Sequence, residues 1–135
     1  MLHHVEIYVS DPERSAGFWT PFLKLLDYDE KRWPGGISYV KKGHAYLCFL
    51  PATSEHLAAG YHRKRVGLNH LAFEGKSRAH VDEIAAWVKA NGHATLYESK
   101  YPYAGGPDYY ALFCEDPDRI KVEVAAPSGA GSCDK

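Results

Sequence analysis

The chain has 135 residues, 16 basic against 17 acidic side chains, a formal net charge of −1, and 45% hydrophobic and 24% charged residues. That is enough chain for one domain to bury roughly two-thirds of its unfolded surface without disulfides or structural zinc, and the balance excludes a disordered tail protein or a collagen-like repeat. Near-zero charge argues against a nucleic-acid partner, which needs a basic face to displace counterions, and no apolar run of about 18 residues offers a membrane span.

Residues 2–9, LHHVEIYV, alternate cleanly, with Val5, Ile7 and Val9 on one face and His4, Glu6 and Tyr8 on the other. This predicts a half-buried strand. The same stretch carries neither a basic segment nor an apolar leader, so a cytoplasmic protein is expected. Ser10-Asp11-Pro12-Glu13 is a helix start, with Ser10 or Asp11 as N-cap and proline in the first turn. Phe18, Trp19, Phe22, Leu23, Leu25 and Leu26 supply the apolar face, and Pro21 is expected to kink or split the helix. Short strands are predicted around 27–33, 37–41 and 45–50, separated by Pro34-Gly35-Gly36 and Lys42-Gly43. Residues 51–66 are polar, basic at their end, and read as a connection.

Half a chain length after the first strand, Gly67 to Phe73 (GLNHLAF) repeats its pattern, with His70 in the place of His4. Ser77 can cap a second helix in which Val81, Ile84, Ala85 and Val88 recur at helical spacing, and Asn91-Gly92 supplies a stop. Strands are predicted again at 94–98, 108–114 and 120–125, with a Gly105-Gly106-Pro107 loop and a Pro117-Asp118 turn between them. From 128 onward the tail is expected to be disordered. Each half is thus strand, helix, strand, strand, strand. The fold class is α+β, a single domain over 1–127 built of two βαβββ modules at about 1–50 and 67–126.

Strand parity then sorts side chains by face. In 45–50, Tyr46, Cys48 and Leu50 share one face; in 120–125, Ile120, Val122 and Val124 form the apolar face and leave Lys121 and Glu123 opposite. The three cysteines (Cys48, Cys114, Cys133) are an odd number without C-x-x-C spacing, which indicates neither a disulfide framework nor a zinc knuckle.

Two halves of this kind resemble the vicinal oxygen chelate superfamily, which contains glyoxalase I, type I extradiol dioxygenases, methylmalonyl-CoA epimerase, fosfomycin-resistance enzymes and bleomycin-binding proteins. The resemblance covers residues 2 to 126. It rests on His4 followed by Val9-Ser10-Asp11-Pro12 and a helix, on Gly67 to Phe73, and on Glu115-Asp116-Pro117-Asp118 leading into Lys121-Val122-Glu123-Val124. It implies a curled mixed sheet in which the first and fourth strands of each half place one residue apiece at a metal: His4, Cys48, His70 and Glu123. Four-ligand members such as glyoxalase I carry an oxygen donor where Cys48 stands. A thiolate there would favour zinc, whereas a cysteine that does not bind leaves two histidines and a carboxylate, the facial triad suited to Fe(II) or Mn(II). The three-ligand set, His4, His70 and Glu123, is preferred, with the divalent ion expected among Fe, Mn, Zn and Ni.

The resemblance implies a metal-dependent enzyme that chelates vicinal oxygens of a small substrate and stabilises an oxyanion or enolate, of lyase, isomerase or dioxygenase type. The alternatives are a drug-binding protein of the bleomycin-resistance kind and an epoxide-opening enzyme of the fosfomycin kind. Against the last, YPYAGGPDYY stands where fosfomycin enzymes carry a serine-rich potassium and phosphonate loop. Glu6, on the same strand face as His4, is a candidate general base; an ion pair with Lys121, Arg63 or Arg65 is the other use for it. Tyr46, Cys48, Tyr103 and Tyr110 are candidate substrate contacts, the last two from the tyrosines around the glycine loop. The family's habit of pairing makes a homodimer the expected assembly.

Overall fold

The computed structural model describes residues 1–127, so the predicted tail lies outside the described residues. The chain divides into two compact units, Met1–Tyr61 and His62–Lys135, and the division falls inside the predicted connection. Among the described residues no helix is long and apolar enough to cross a membrane.

The first unit holds β1 (His4–Val9), α1 (Pro12–Lys24), β2 (Asp29–Trp33), β3 (Gly36–Val40) and β4 (Tyr46–Pro51), followed by a 3₁₀ turn at Leu57–Ala59. Its sheet runs β1-β4-β3-β2. β1 and β4 are parallel and the other pairs antiparallel; the parallel pair needs a crossover, which α1 begins. Asp11 is the N-cap, its Oδ1 accepting the backbone N–H groups of Glu13 at 3.0 Å and Arg14 at 3.3 Å. Ser10 instead accepts from the Arg14 guanidinium at 3.2 Å.

Pro21 does not split α1, which continues to Lys24. The carbonyl left without a donor belongs to Gly17, which is exposed and uncrowded, so water can serve it in place of the lost N–H. Phe18, Trp19, Phe22 and Leu23 on the inner side are fully buried. Trp19 meets Phe49 of β4 at 4.9 Å between ring centres, and that packing holds the helix across the proline.

The second unit holds β5 (His70–Glu74), α2 (Arg78–Ala90), β6 (Ala111–Glu115) and β7 (Lys121–Ala125), with sheet order β5-β7-β6. β5 and β7 are parallel, β6 and β7 antiparallel. Ser77 caps α2 by accepting from the His80 N–H at 3.1 Å. Asn91 ends it, and Gly92 follows at φ 71°, the left-handed conformation that suits glycine at a helix stop. Val81, Ile84 and Val88 on the helix, with Val122 and Val124 on β7, are fully buried and form the core.

The strand predicted at 94–98 is absent. A single bridge joins Thr95 to Cys114, and a 3₁₀ turn at Glu98–Lys100 follows. Tyr97 takes φ 57°, which no continuing strand tolerates, and the Glu98 carboxylate is drawn back to Lys89 at 2.6 Å and Thr95 at 3.3 Å. Among the described residues the second sheet therefore has three strands where the repeat predicts four. The strand predicted from 108 begins only at Ala111, since Asp108 also has positive φ.

Candidate functional site

The two parallel strand pairs are laid out alike. His4 opens β1 and His70 opens β5. Glu6 stands opposite Cys48 in the first unit, and Ala72 opposite Glu123 in the second. Cys48 and Glu123 therefore occupy equivalent places, and the carboxylate has changed strands: in the first unit it is on the histidine's own strand, in the second on the neighbouring one.

In the second unit the register puts His70, Ala72, Lys121 and Glu123 on one face, with Leu71, Phe73, Val122 and Val124 on the other. Glu123 is fully buried, and His70 retains 24% exposure. His70 Nε2 lies 2.8 Å from Glu123 Oε2, and His70 Nδ1 lies 2.6 Å from Asn69 Oδ1. The other carboxylate oxygen, Oε1, accepts a hydrogen bond from the Tyr109 phenol.

The roles of the two ring nitrogens follow the tautomer of His70: with Nε2–H the ring donates to Glu123, and with Nδ1–H it donates to Asn69 and turns the Nε2 lone pair toward Glu123 Oε2. Donor atoms each about 2.1 Å from one octahedral cation lie about 3 Å apart. In the second tautomer the imidazole and carboxylate could supply two donors to a borderline divalent ion, with Asn69 as an outer partner.

In the first unit His4, Glu6, Tyr46 and Cys48 share a face. His4 Nε2 is 4.0 Å from Glu6 Oε1, and Glu6 is 60% exposed. The His4 ring stacks on Tyr46 at 4.8 Å, and its Nδ1 meets His3 Nδ1 at 2.8 Å. Cys48 is buried, its Sγ 3.2 Å from the Ser38 hydroxyl, which also accepts the Trp33 indole N–H at 2.9 Å. Among the described residues no group of three or more His, Cys, Asp or Glu side chains that could hold a metal ion comes together.

Two of the cations weighed as partners for Glu6 have partners within the second unit. Lys121 donates to the Tyr97 phenol at 3.2 Å and lies over the Tyr97 and Phe113 rings. Arg63 pairs with Glu115 at 3.0 Å.

The tyrosines around the glycine loop divide between two destinations. Tyr101 and Tyr110 both donate to Asp82 Oδ1 on α2, at 2.5 and 2.6 Å. Desolvation first, and then the Asp82 carboxylate, raise the Tyr101 phenol above its ordinary range. Tyr103 remains exposed, meets the Tyr110 ring edge-on at 5.8 Å and accepts from Arg78 at 3.4 Å. Beside them Asp82, Ala85, Tyr101 and Leu112 line a cavity of about 490 Å³. Of the neighbouring pair, the predicted contact Tyr110 thus reaches α2, while Tyr109 reaches Glu123. Strand parity carried the signal, because Tyr109 is in phase with Ala111 and Phe113, and Phe113 stands opposite Glu123.

The family model described as Glyoxalase/Bleomycin resistance protein/Dioxygenase superfamily matches residues 1–124. An uncharacterized Bacillus subtilis protein, YqjT, is 52% identical over 128 residues, covering 94% of this chain and 99% of that one. The crystal structure of a glyoxalase candidate from Bacillus halodurans superposes with TM-score 0.90 at 50% identity, covering 94% of this chain and 96% of that one. A lactoylglutathione lyase from Agrobacterium tumefaciens shares the fold at TM-score 0.66 and 17% identity, with 98% and 97% covered.

Proposed function

The chain belongs to the glyoxalase/bleomycin resistance protein/dioxygenase superfamily, and we propose that within it the protein is a metal-dependent enzyme in which His4, His70 and Glu123 hold a divalent Fe, Mn, Zn or Ni ion. The observation that carries this reading is the His70–Glu123 pair. A carboxylate taken wholly out of water costs several kcal/mol, and here it faces an imidazole nitrogen at 2.8 Å whose ring partner nitrogen meets Asn69. A purely apolar drug cleft has no use for that arrangement. His4 joins the set through the repeat, since it opens β1 as His70 opens β5.

A bound cation would supply Lewis-acid stabilisation of negative charge developing on two neighbouring oxygens of a small substrate. The chain's own side chains do the rest. Asn69 meets Nδ1 of the His70 ring and so orients it, and the Tyr109 phenol donates to the carboxylate of Glu123. Glu6, solvent-reachable and on the His4 face of β1, is the proposed base that takes a proton from a carbon next to a carbonyl. Tyr46 stacks on the His4 ring and fixes its plane; with Cys48 it forms the proposed substrate wall, whereas Tyr103 and Tyr110 are engaged with α2 through Arg78 and Asp82. Lyase or isomerase chemistry and ring-opening dioxygenation both belong to this reading, as do a homodimeric assembly and a cytoplasmic location.

A metal-free drug-binding protein is the second reading, favoured by the exposed Tyr103 ring against Tyr110. Elemental analysis decides between them, using untagged wild type and His70→Ala after loading with Fe(II), Mn(II), Zn(II) or Ni(II). Uptake by wild type that the variant loses is expected. Equal, negligible metal in both would end the enzyme reading in favour of binding. Oxygen uptake with a panel of catechols then separates dioxygenase from lyase or isomerase, and an activity unchanged by Glu6→Gln would remove the proposed base.

A further inference from the structure

We infer that the cavity between α2 and the segment 95–101 is a binding site for a small organic monocation with an apolar body, an arylalkyl amine being the simplest, whose ammonium meets Asp82. The inference does not depend on a metal. The cavity exists because the second unit departs from its own repeat. In the first unit the matching segment is β2, paired with β3 from Asp29 to Trp33. In the second, the chain joins β6 through the Glu115 N–H to the Ala94 carbonyl at 3.0 Å and the Leu96 N–H to the Phe113 carbonyl at 2.9 Å, then turns away at Tyr97. About 490 Å³ is left between helix and turn.

Protein interiors close such gaps unless something holds them open. Here two ties hold the turn off the helix, Lys89 to Glu98 at 2.6 Å and Tyr101 to Asp82 at 2.5 Å. Asp82 and Lys89 are two turns, or about 10 Å, apart along α2, and the small side chains of Ala85 and Ala86 between them leave room. Leu96 and Leu112 supply apolar wall. Leu112 stands opposite Val124, so the space is on the α2 side of the sheet, away from the face that carries His70 and Glu123.

The polar groups choose the occupant. Tyr101 and Tyr110 both donate to Asp82 Oδ1, which fixes the carboxylate, while Oδ2 accepts no hydrogen bond among the described residues. At the far end the Lys89 ammonium is taken by Glu98, which also accepts from the Thr95 hydroxyl. Two carboxylates and one ammonium give the lining a net charge of −1, and Oδ2 can only accept. Its complement is a donor with one positive charge; a neutral hydroxyl lacks the charge assistance, and an anion is repelled. Asp82 and Glu98 are exposed, so the site opens to solvent.

The probes are tryptamine, tryptophol and indole-3-acetate, one ring with a cationic, a neutral and an anionic end, titrated into the ¹⁵N-labelled full chain without metal. Saturable shifts of the Ala85, Ala86, Leu96 and Leu112 amides are expected, with a tryptamine dissociation constant about five-fold below that of tryptophol and indole-3-acetate weakest. Asp82→Asn keeps an oxygen for the two phenols and removes the charge, so it should bind tryptamine and tryptophol alike. Ala85→Leu fills the space and should abolish saturable binding of all three; if it fails to fold, Asp82→Asn carries the test. No saturable shift at these amides with tryptamine, equal affinity of wild type for the three probes, a tryptamine preference that survives Asp82→Asn, or unchanged binding in folded Ala85→Leu overturns the inference. None of these results bears on the metal reading, which uptake by wild type and His70→Ala decides.

Discussion

Replacing Glu123 by leucine separates what this carboxylate does for the fold from what it does for a ligand. In the folded protein it receives the Tyr109 phenol and faces His70 at 2.8 Å with no exposure to water. Two hydrogen bonds to a charged group contribute about 1.5–3 kcal/mol each. Against them stands a desolvation cost of several kcal/mol, which the leucine removes while adding about 1–2 kcal/mol of apolar burial. The half-buried Tyr109 phenol can turn to water. The metal-free variant should therefore melt within about 8 °C of wild type, a difference of about 2 kcal/mol for a chain of this size. The ligand response should differ far more. At a metal concentration 100-fold above its dissociation constant, wild type gains about 2.7 kcal/mol, or about 10 °C in Tm, and the variant gains nothing. Thermal melts followed by circular dichroism with and without Mn(II) read both quantities. A metal-free loss above about 4 kcal/mol, or a metal shift that survives the substitution, would refute the reasoning.

Three further outcomes follow from the packing. Gly36→Ala places a Cβ 2.4 Å from the Phe49 carbonyl oxygen, so it should push β3 off β4 and cost about 1–3 kcal/mol, seen as a lower urea midpoint; an unchanged midpoint shows that the strands can spread. Burial pushes the Cys114 thiol up to about 12, with Asp116 and Glu115 adding to it, so native protein at pH 8 should leave the Cys114 peptide unalkylated by iodoacetamide; modification at a free-thiol rate contradicts this. Desolvation holds His93 below its ordinary 6.5, so the unfolded chain takes up that proton first on acidification. Its contribution is full above the unfolded value and is lost as pH falls through the lowered folded one; His93→Gln should flatten the acid-side fall of Tm, and an unaltered slope excludes His93 as its source.

Where local chemistry and burial agree, the amino-acid order was enough to read the fold. The alternation of residues 2–9, the Asp11 and Ser77 caps and the Asn91-Gly92 stop each rest on interactions within a few residues, and each is found in place. The second module's missing strand was not legible in the same way. Thr95, Leu96 and Tyr97 look like strand residues, but Glu98 is pulled to Lys89 across the helix end, a tertiary contact that no local pattern announces. The split allowed for at Pro21 does not occur, because the cost of the proline depends on whether Gly17 faces water. In the candidate site, the His70–Glu123 pairing was within reach of the repeat, since parity puts both on one face. Tyr109 was hidden by its neighbour: Tyr103 and Tyr110 look like equally good ring donors until the phase of β6 is set.

That adjacent tyrosines face opposite ways has a consequence for the length of the loop that bears them. Surface loops usually accept insertions and deletions at little cost, but this one is closed by backbone bonds from Ala111 to Pro102 at 2.9 Å and from Ala126 to Tyr110 at 2.8 Å. Inserting one residue between Tyr110 and Ala111 would place Tyr110 in the phase that Tyr109 now holds, turning the Asp82 partner toward Glu123 and the Glu123 partner away from it. Relatives that keep both phenol contacts are therefore expected to keep the two tyrosines immediately ahead of the strand, whatever else in the loop varies.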